Sequence, residues 1–194
     1  MANVEYECRK CGKRVPAEQY RINRFCSTSD CGTFLSERPQ PRHWLFQFNS
    51  SIYKWIERMS ETQEPEQWLI TQHARLIRKS DLVVIWASGK KAGVYALGQI
   101  ITRPAKNALN PNQGKYFLNK DDIDKFQQHF SSYVEYLNVF LKKPLLLEQC
   151  NQDKILMDMQ VFANPQGSNF RLTAEQWNRI LELQTKPLEA QSSS

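Results

Sequence analysis

The chain has 194 residues, 41% hydrophobic and 24% charged, with a formal net charge of +6. That balance excludes a disordered or fibrous chain, and no run of about 18 apolar residues exists to span a membrane. The cationic excess favours a polyanionic partner, because every phosphate neutralised by Lys or Arg releases counterions, although many soluble proteins are this basic without such a role.

The N-terminus MANVEYECRK lacks the apolar core of a secretion signal, so a cytoplasmic location is expected. Four of the five cysteines fall in the first 31 residues. A reducing compartment disfavours two disulfides there, and the spacing suits a metal. Cys8-Arg-Lys-Cys11 has the two-residue gap of a zinc knuckle, and Gly12 follows with the backbone freedom such turns use. Cys26 and Cys31 form a wider second pair. Four thiolates saturate tetrahedral Zn²⁺ and leave no position open for water, so a structural zinc is expected, held by Cys8, Cys11, Cys26 and Cys31. A segment this short buries little core, and metal binding would supply much of its folding energy. Arg9, Lys10, Lys13, Arg14, Arg21 and Arg24 surround these ligands, either as a phosphate-contacting patch or as the solvated surface of a module with almost no interior.

Arg38-Pro-Gln-Pro41 reads as a joint, since each proline drives its predecessor into extended geometry. The expected organisation is a zinc module over 1–40, a barrel over 41–185 and a disordered polar tail over 186–194. Within the barrel, His43 to Phe48 reads as a strand. Ser50 or Ser51 then caps a helix whose Ile52, Trp55, Ile56 and Met59 share a face. A polar loop with Pro65 leads to Trp68-Leu-Ile-Thr, and residues 72–79 resemble a short helix. Asp81 to Ala87 is the strongest strand signal; Ser88-Gly-Lys-Lys-Ala-Gly93 turns it into a second strand, Val94 to Ile101. A short helix is expected around 122–130, strands over 133–140 and 155–162, and a turn-rich loop at Asn164 to Asn169. Thr173 and Gln176 form a capping box opening a last helix with Trp177, Ile180 and Leu181 inward. Cys150 follows an apolar run and reads as a small buried residue rather than a nucleophile. Several strands with few, short helices specify an α+β fold, a closed or nearly closed mixed β-barrel with short flanking helices.

From His43 to Leu183 these pieces, in order, resemble an EVE domain, a PUA-like barrel related to the YTH readers of methylated adenine. The resemblance is carried by His43-Trp-Leu-Phe-Gln-Phe-Asn49, by Trp68 with Gln72-His-Ala-Arg75, and by the hairpin Asp81 to Ile101. Val134 to Phe140 with Pro144-Leu145, and Asn164-Pro165 through Phe170-Arg-Leu-Thr173 to Trp177, complete it. One departure is Ser80, where the family usually has glycine before the aspartate. The cysteine module lies outside this domain and resembles small treble-clef or ribbon fingers, including those attached to nucleases.

The resemblance implies a binding module for a modified nucleobase in DNA, methyl- or hydroxymethylcytosine before others. Prokaryotic members are associated with modification-dependent restriction, which implies an effector nuclease or other protein partner. Such readers take an extruded base between aromatic faces. Matching the family's positions puts Asn49 and Ser50 at the pocket mouth, Trp68 in its wall, and Trp86 with Ser88 beside it; Tyr95 is a further candidate. Asn49 has a competing role as a cap, and Trp86 and Tyr95 as core; Trp44, Trp55 and Trp177 sit on apolar stripes and read as core outright. Lys54, Arg75, Arg78, Lys90 and Lys91 are the nearby candidates for the nucleic-acid backbone. RNA is the runner-up ligand, since PUA-like barrels commonly bind it. An enzyme is the third reading; a saturated zinc and the isolation of His43 and His129 in sequence argue against it.

Overall fold

The computed structural model describes residues 5–8, 13–16, 35–37 and 41–185, and contacts divide the chain into two compact units, Met1–Gln40 and Pro41–Ser194. In the first unit, β1 (Glu5–Cys8) is flanked by β2 (Arg14–Pro16) and β3 (Leu35–Glu37), both antiparallel to it. Val15 is buried. Cys8 ends β1, opposite Leu35. Cys11, Cys26 and Cys31 lie outside the described residues, and so does the expected zinc site as a whole.

The second unit is built on a seven-stranded sheet. Its strands are β4 (His43–Asn49), β5 (Glu66–Ile70), β6 (Leu82–Ser88), β7 (Gly93–Ile100), β8 (Phe130–Val139), β9 (Leu145–Leu146) and β10 (Asn169–Leu172). The order is β10-β4-β6-β7-β8-β5, with β9 added beside β7; β4 and β6 are parallel and every other pair is antiparallel. The helices are α1 (Trp55–Glu61), α2 (Pro111–Gly114), α3 (Lys120–Gln128), α4 (Leu147–Gln152), α5 (Gln160–Ala163) and α6 (Ala174–Thr185). The sheet curls until its end strands, β5 and β10, face one another. Among the described residues no ladder joins them. The Asn169 side chain does, donating to Leu69 O at 3.1 Å and accepting from Thr71 N at 3.0 Å.

Strand alternation sorts the apolar residues onto two faces. Trp44, Phe46 and Phe48 of β4, Val83, Ile85 and Ala87 of β6, and Trp68 and Ile70 of β5 fill the inside of the curl with Trp55 and Met59 of α1. Leu45, Val84, Trp86 and Val94 point the other way, under Cys150, Leu156, Met159, Trp177 and Ile180. Asp81 ties the start of the curl together: its buried carboxylate accepts from Arg42 N at 3.0 Å, Trp44 Nε1 at 2.9 Å and Arg78 N at 2.9 Å.

The expected hairpin, opening strand, last helix and capping box all form; Thr173 N donates to Gln176 Oε1 and Gln176 N to Thr173 Oγ1. Three expected elements change. Residues 155–162 are turns leading into α5, because Asp153 Oδ1 caps Ile155 N and Leu156 N and bends the apolar run onto the outer face. Residues 72–79 make one turn and stop: His73 O accepts from Leu76 N and Ile77 N, after which Arg78 N is taken by Asp81. The first helix starts at Trp55 rather than after Ser51, since Asn49 O accepts from Ile52 N and Tyr53 N in a turn. Ser80 adopts φ 74, a left-handed conformation natural to glycine, which is the physical sense of the family's usual residue at that position.

Candidate functional site

Where β4 and β5 end beside the 165–168 loop, the curl opens into a cavity of about 640 Å³. Phe48, Trp68, Tyr53 and Phe117 wall it. Phe48 comes from the inward stripe of β4, Trp68 from that of β5, and Tyr53 stacks on Phe117 with ring centroids 4.4 Å apart. Asn49, Gln67, Thr71 and Ser88 add polar groups, and α3 with the residue that follows it presents Asp122, Lys125 and His129. Gly89, at φ +94, shapes the rim on the hairpin side. The opposite rim is held by Gln47: its Nε2 donates to Pro165 O at 2.8 Å and Gly167 O at 3.0 Å, while its backbone N donates to Ser168 O. Those bonds pre-order an otherwise irregular loop. A Cβ on Gly167 would meet the Phe170 ring at 2.5 Å.

The structure distributes the sequence-derived candidates unevenly. Asn49, Trp68 and Ser88 line this cavity together. Asn49 also accepts from Ser51 N at 2.8 Å, so the capping and pocket roles coexist. Ser88 donates to Phe48 O at 3.1 Å. Ser50 is exposed but does not line the cavity. Trp86 does not join Trp68. It lies on the other face of the sheet, 2% exposed, edge-on to Phe162, beside a shallower concavity of about 350 Å³. The reason is parity: Phe48 faces inward, its neighbour in register is Ala87, and Trp86 beside Gln47 must face outward. Tyr95 is 3% exposed, packed edge-on against Phe48 and Trp55, with its hydroxyl donating to Lys91 O at 3.0 Å; it is a core residue behind the wall.

Among the basic candidates, Lys90 and Lys91 are exposed directly after the rim residues Ser88 and Gly89. Arg75 and Arg78 are both exposed in the turn before β6. Lys54 is exposed and pairs with Glu57 at 3.3 Å.

Two groups escaped sequence reading. Asp122, Lys125 and His129 are spaced i, i+3, i+7, so α3 and the residue after it turn one polar stripe to the cavity, with Asp122 and Lys125 in an ion pair. The spacing was readable; the direction it faces was not. The second is Glu66, 1% exposed behind the aromatic wall. Tyr53 Oη and Tyr136 Oη donate to its two oxygens, Trp55 Nε1 donates at 2.7 Å, and Arg58 Nε lies 3.3 Å away. Tyr136 Oη in turn accepts from Trp68 Nε1 at 3.0 Å and Trp55 Nε1 at 2.9 Å. Burial pushes the Glu66 carboxyl up to about 7, against the pull of Arg58 and the hydroxyl and indole donors. Burial, then the carboxylate, drives the Tyr53 phenol far above its ordinary value. Cys150, fully buried on the outer face, has a thiol pushed up to about 12 by burial and then Asp153, which leaves it inert.

Known proteins share this architecture. The EVE domain sequence profile matches residues 42–183. The fold is similar to a hypothetical protein from Leishmania major (TM-score 0.56, 17% identity, 74% of this chain and 94% of that one). It is also similar to human THYN1 in complex with 5-methylcytosine-containing DNA (TM-score 0.54, 18% identity, 75% and 99%). Rpa0253 from Rhodopseudomonas palustris gives a TM-score of 0.53 at 17% identity, over 73% and 92% of the two chains. No curated protein matches the sequence.

Proposed function

Because the chain belongs to the EVE-domain family, we propose that it is a nucleic-acid-binding module that takes a modified base of DNA, first of all methyl- or hydroxymethylcytosine, into the cavity between β4 and β5. The observation that carries this reading is the cavity itself. Its volume lies in the range of small-ligand sites, and Trp68, Phe48 and Tyr53 offer apolar surface beside Asn49, Thr71 and Ser88. A base in a duplex cannot reach such a site without leaving the stack, so base extrusion is part of the proposal. The structural likeness to a protein held in complex with 5-methylcytosine-containing DNA agrees with it. Lys90 and Lys91, next to the rim, are the candidates to meet phosphate. The module binds without catalysis in this reading; a restriction or defence role needs a cutting partner.

The test is a panel of oligonucleotides identical in sequence and carrying cytosine, 5-methylcytosine or 5-hydroxymethylcytosine, each in deoxy and ribo form. Tighter binding of a modified deoxy member is the expected result. Equal affinity for all deoxy members refutes modification reading, and preference for the ribo series moves the ligand to RNA, where the 2′-hydroxyl is read.

The cysteine module belongs to the proposal as a structural zinc site of Cys8, Cys11, Cys26 and Cys31. Metal analysis of the purified chain is expected to return about one zinc per molecule. A metal-free chain with full affinity for DNA would remove zinc from the account.

A further inference from the structure

The partners of the buried Glu66 carboxyl are all donors: Tyr53 Oη, Tyr136 Oη, Trp55 Nε1 and Arg58 Nε. An ionised carboxylate satisfies all four, having acceptor capacity and no proton of its own. A neutral carboxyl does not fit the same shell. Its proton needs an acceptor, and among these partners only the two phenol oxygens can accept.

The consequence lies in the lone pairs of Tyr136. Its Oη already accepts from the indoles of Trp55 and Trp68 while giving its own proton to Glu66. A proton on the Glu66 oxygen facing Tyr136 brings a third donor to an oxygen with two lone pairs. Trp55 keeps a 2.7 Å bond to Glu66, whereas Trp68 has its bond to Tyr136 and a weaker pull from the Glu66 charge that protonation also removes, so Trp68 is the one released. A proton on the other oxygen faces Tyr53, whose hydroxyl must then turn away, and it weakens the Arg58 ion pair. Trp68 and Tyr53 are both walls of the cavity. Protonation on the Tyr136 side therefore frees a wall, while on the Tyr53 side it reverses one hydrogen bond.

We propose that Glu66 is a positioning residue whose ionised form holds Trp68 in place for the base, so that binding is coupled to its proton. This coupling rests on the base-binding function proposed for the cavity. Burial supplies its second half, since it brings the carboxyl up to about 7, where both forms are populated. The charged and titratable groups facing the carboxyl are Arg58 from α1, Tyr53 from the segment before it and Tyr136 from β8.

The experiment uses the full chain, its Glu66→Gln variant and its Tyr136→Phe variant. Affinity for the 5-methylcytosine deoxy-oligonucleotide and ligand-free near-UV circular dichroism are each followed from pH 6 to 8. In the unmodified chain, affinity is expected to rise roughly tenfold across that range, the scale of one aromatic contact, with the tryptophan signal changing about the same midpoint near 7. Glu66→Gln puts an amide donor where the proton would sit, and is expected to bind weakly with a flat profile in both measurements. If it does not fold, Tyr136→Phe decides: it keeps the ring, cuts the link to Trp68, and is expected to bind weakly at pH 8. Glu66→Gln removes only the carboxyl, so a pH profile of affinity that survives unchanged in it overturns the proposal. Full affinity of Tyr136→Phe at pH 8, or a flat dichroism profile in the unmodified chain, overturns it as well. If no oligonucleotide binds at any pH, the base-reading function falls, and the dichroism series still decides whether Glu66 positions the tryptophan.

Discussion

The two faces of the curled sheet are built from the same strands and bury similar apolar residues, yet they differ in one respect. On the outer face, Leu45, Val84, Trp86, Leu156, Met159 and Trp177 pack around Cys150, whose thiol does not ionise near neutral pH. The inner face encloses Glu66 with Arg58, and Tyr53, Trp55, Trp68 and Tyr136 turn their polar edges to them. A buried ion pair costs desolvation that a well-packed apolar cluster avoids, so it contributes little to stability for its own sake. Its presence on one face marks that face as the one where orientation of side chains matters. The cavity opens there.

The largest effect that tests this contrast comes from the two tryptophans. Trp86→Ala is expected to cost about 3–5 kcal/mol of stability, as large core truncations do, while the folded protein keeps its affinity for modified DNA. Trp68→Ala is expected to lower stability as well, and in addition to weaken binding by the folded protein roughly tenfold or more. Denaturant titration and binding measured side by side separate the two. Equal loss of affinity in both variants would erase the distinction between the faces.

A smaller effect tests the inner face alone. The folded-state pKa of Glu66 lies above the ordinary value of 4.5, so between 4.5 and about 7 the native state binds the proton that the unfolded state releases. Stability from this group is therefore fully present below 4.5 and lost as pH rises through about 7, on the order of 3 kcal/mol in total. His43 has its pKa lowered by burial, with Asp81 only partly compensating, so it adds a pH dependence of its own. The informative quantity is the difference in unfolding free energy between the unmodified chain and Glu66→Gln, measured at pH 5 and 8, in which His43 cancels. A difference that does not change with pH would show that Glu66 keeps one protonation state throughout.

Much of the second unit was legible from residue order. The alternation in His43 to Phe48, the apolar run from Leu82 to Ala87 and the Thr173–Gln176 capping box each act within a few residues, and local geometry decides them. The failures have the same logic. Residues 155–162 carry strand-like apolar density, but Asp153 caps the chain into turns, and the outer face buries their side chains without a ladder. Trp86 resembled a pocket residue because it stands two positions before Ser88, which does reach the rim. Its own direction follows from its register against Gln47 of β4, a partner far away in sequence.

Residue order alone was enough for the family, most strand and helix periods of the second unit, and three residues that do meet at the cavity, Asn49, Trp68 and Ser88. It took the curled sheet to make Trp86 and Tyr95 core, to turn Asp122, Lys125 and His129 of the α3 segment to the opening, and to set Glu66 at the centre of the wall. The cause is range. Periodicity and capping are written in neighbouring residues, whereas a buried carboxylate is meaningful only through donors brought to it from positions 53, 55, 58 and 136 by the curling of the sheet.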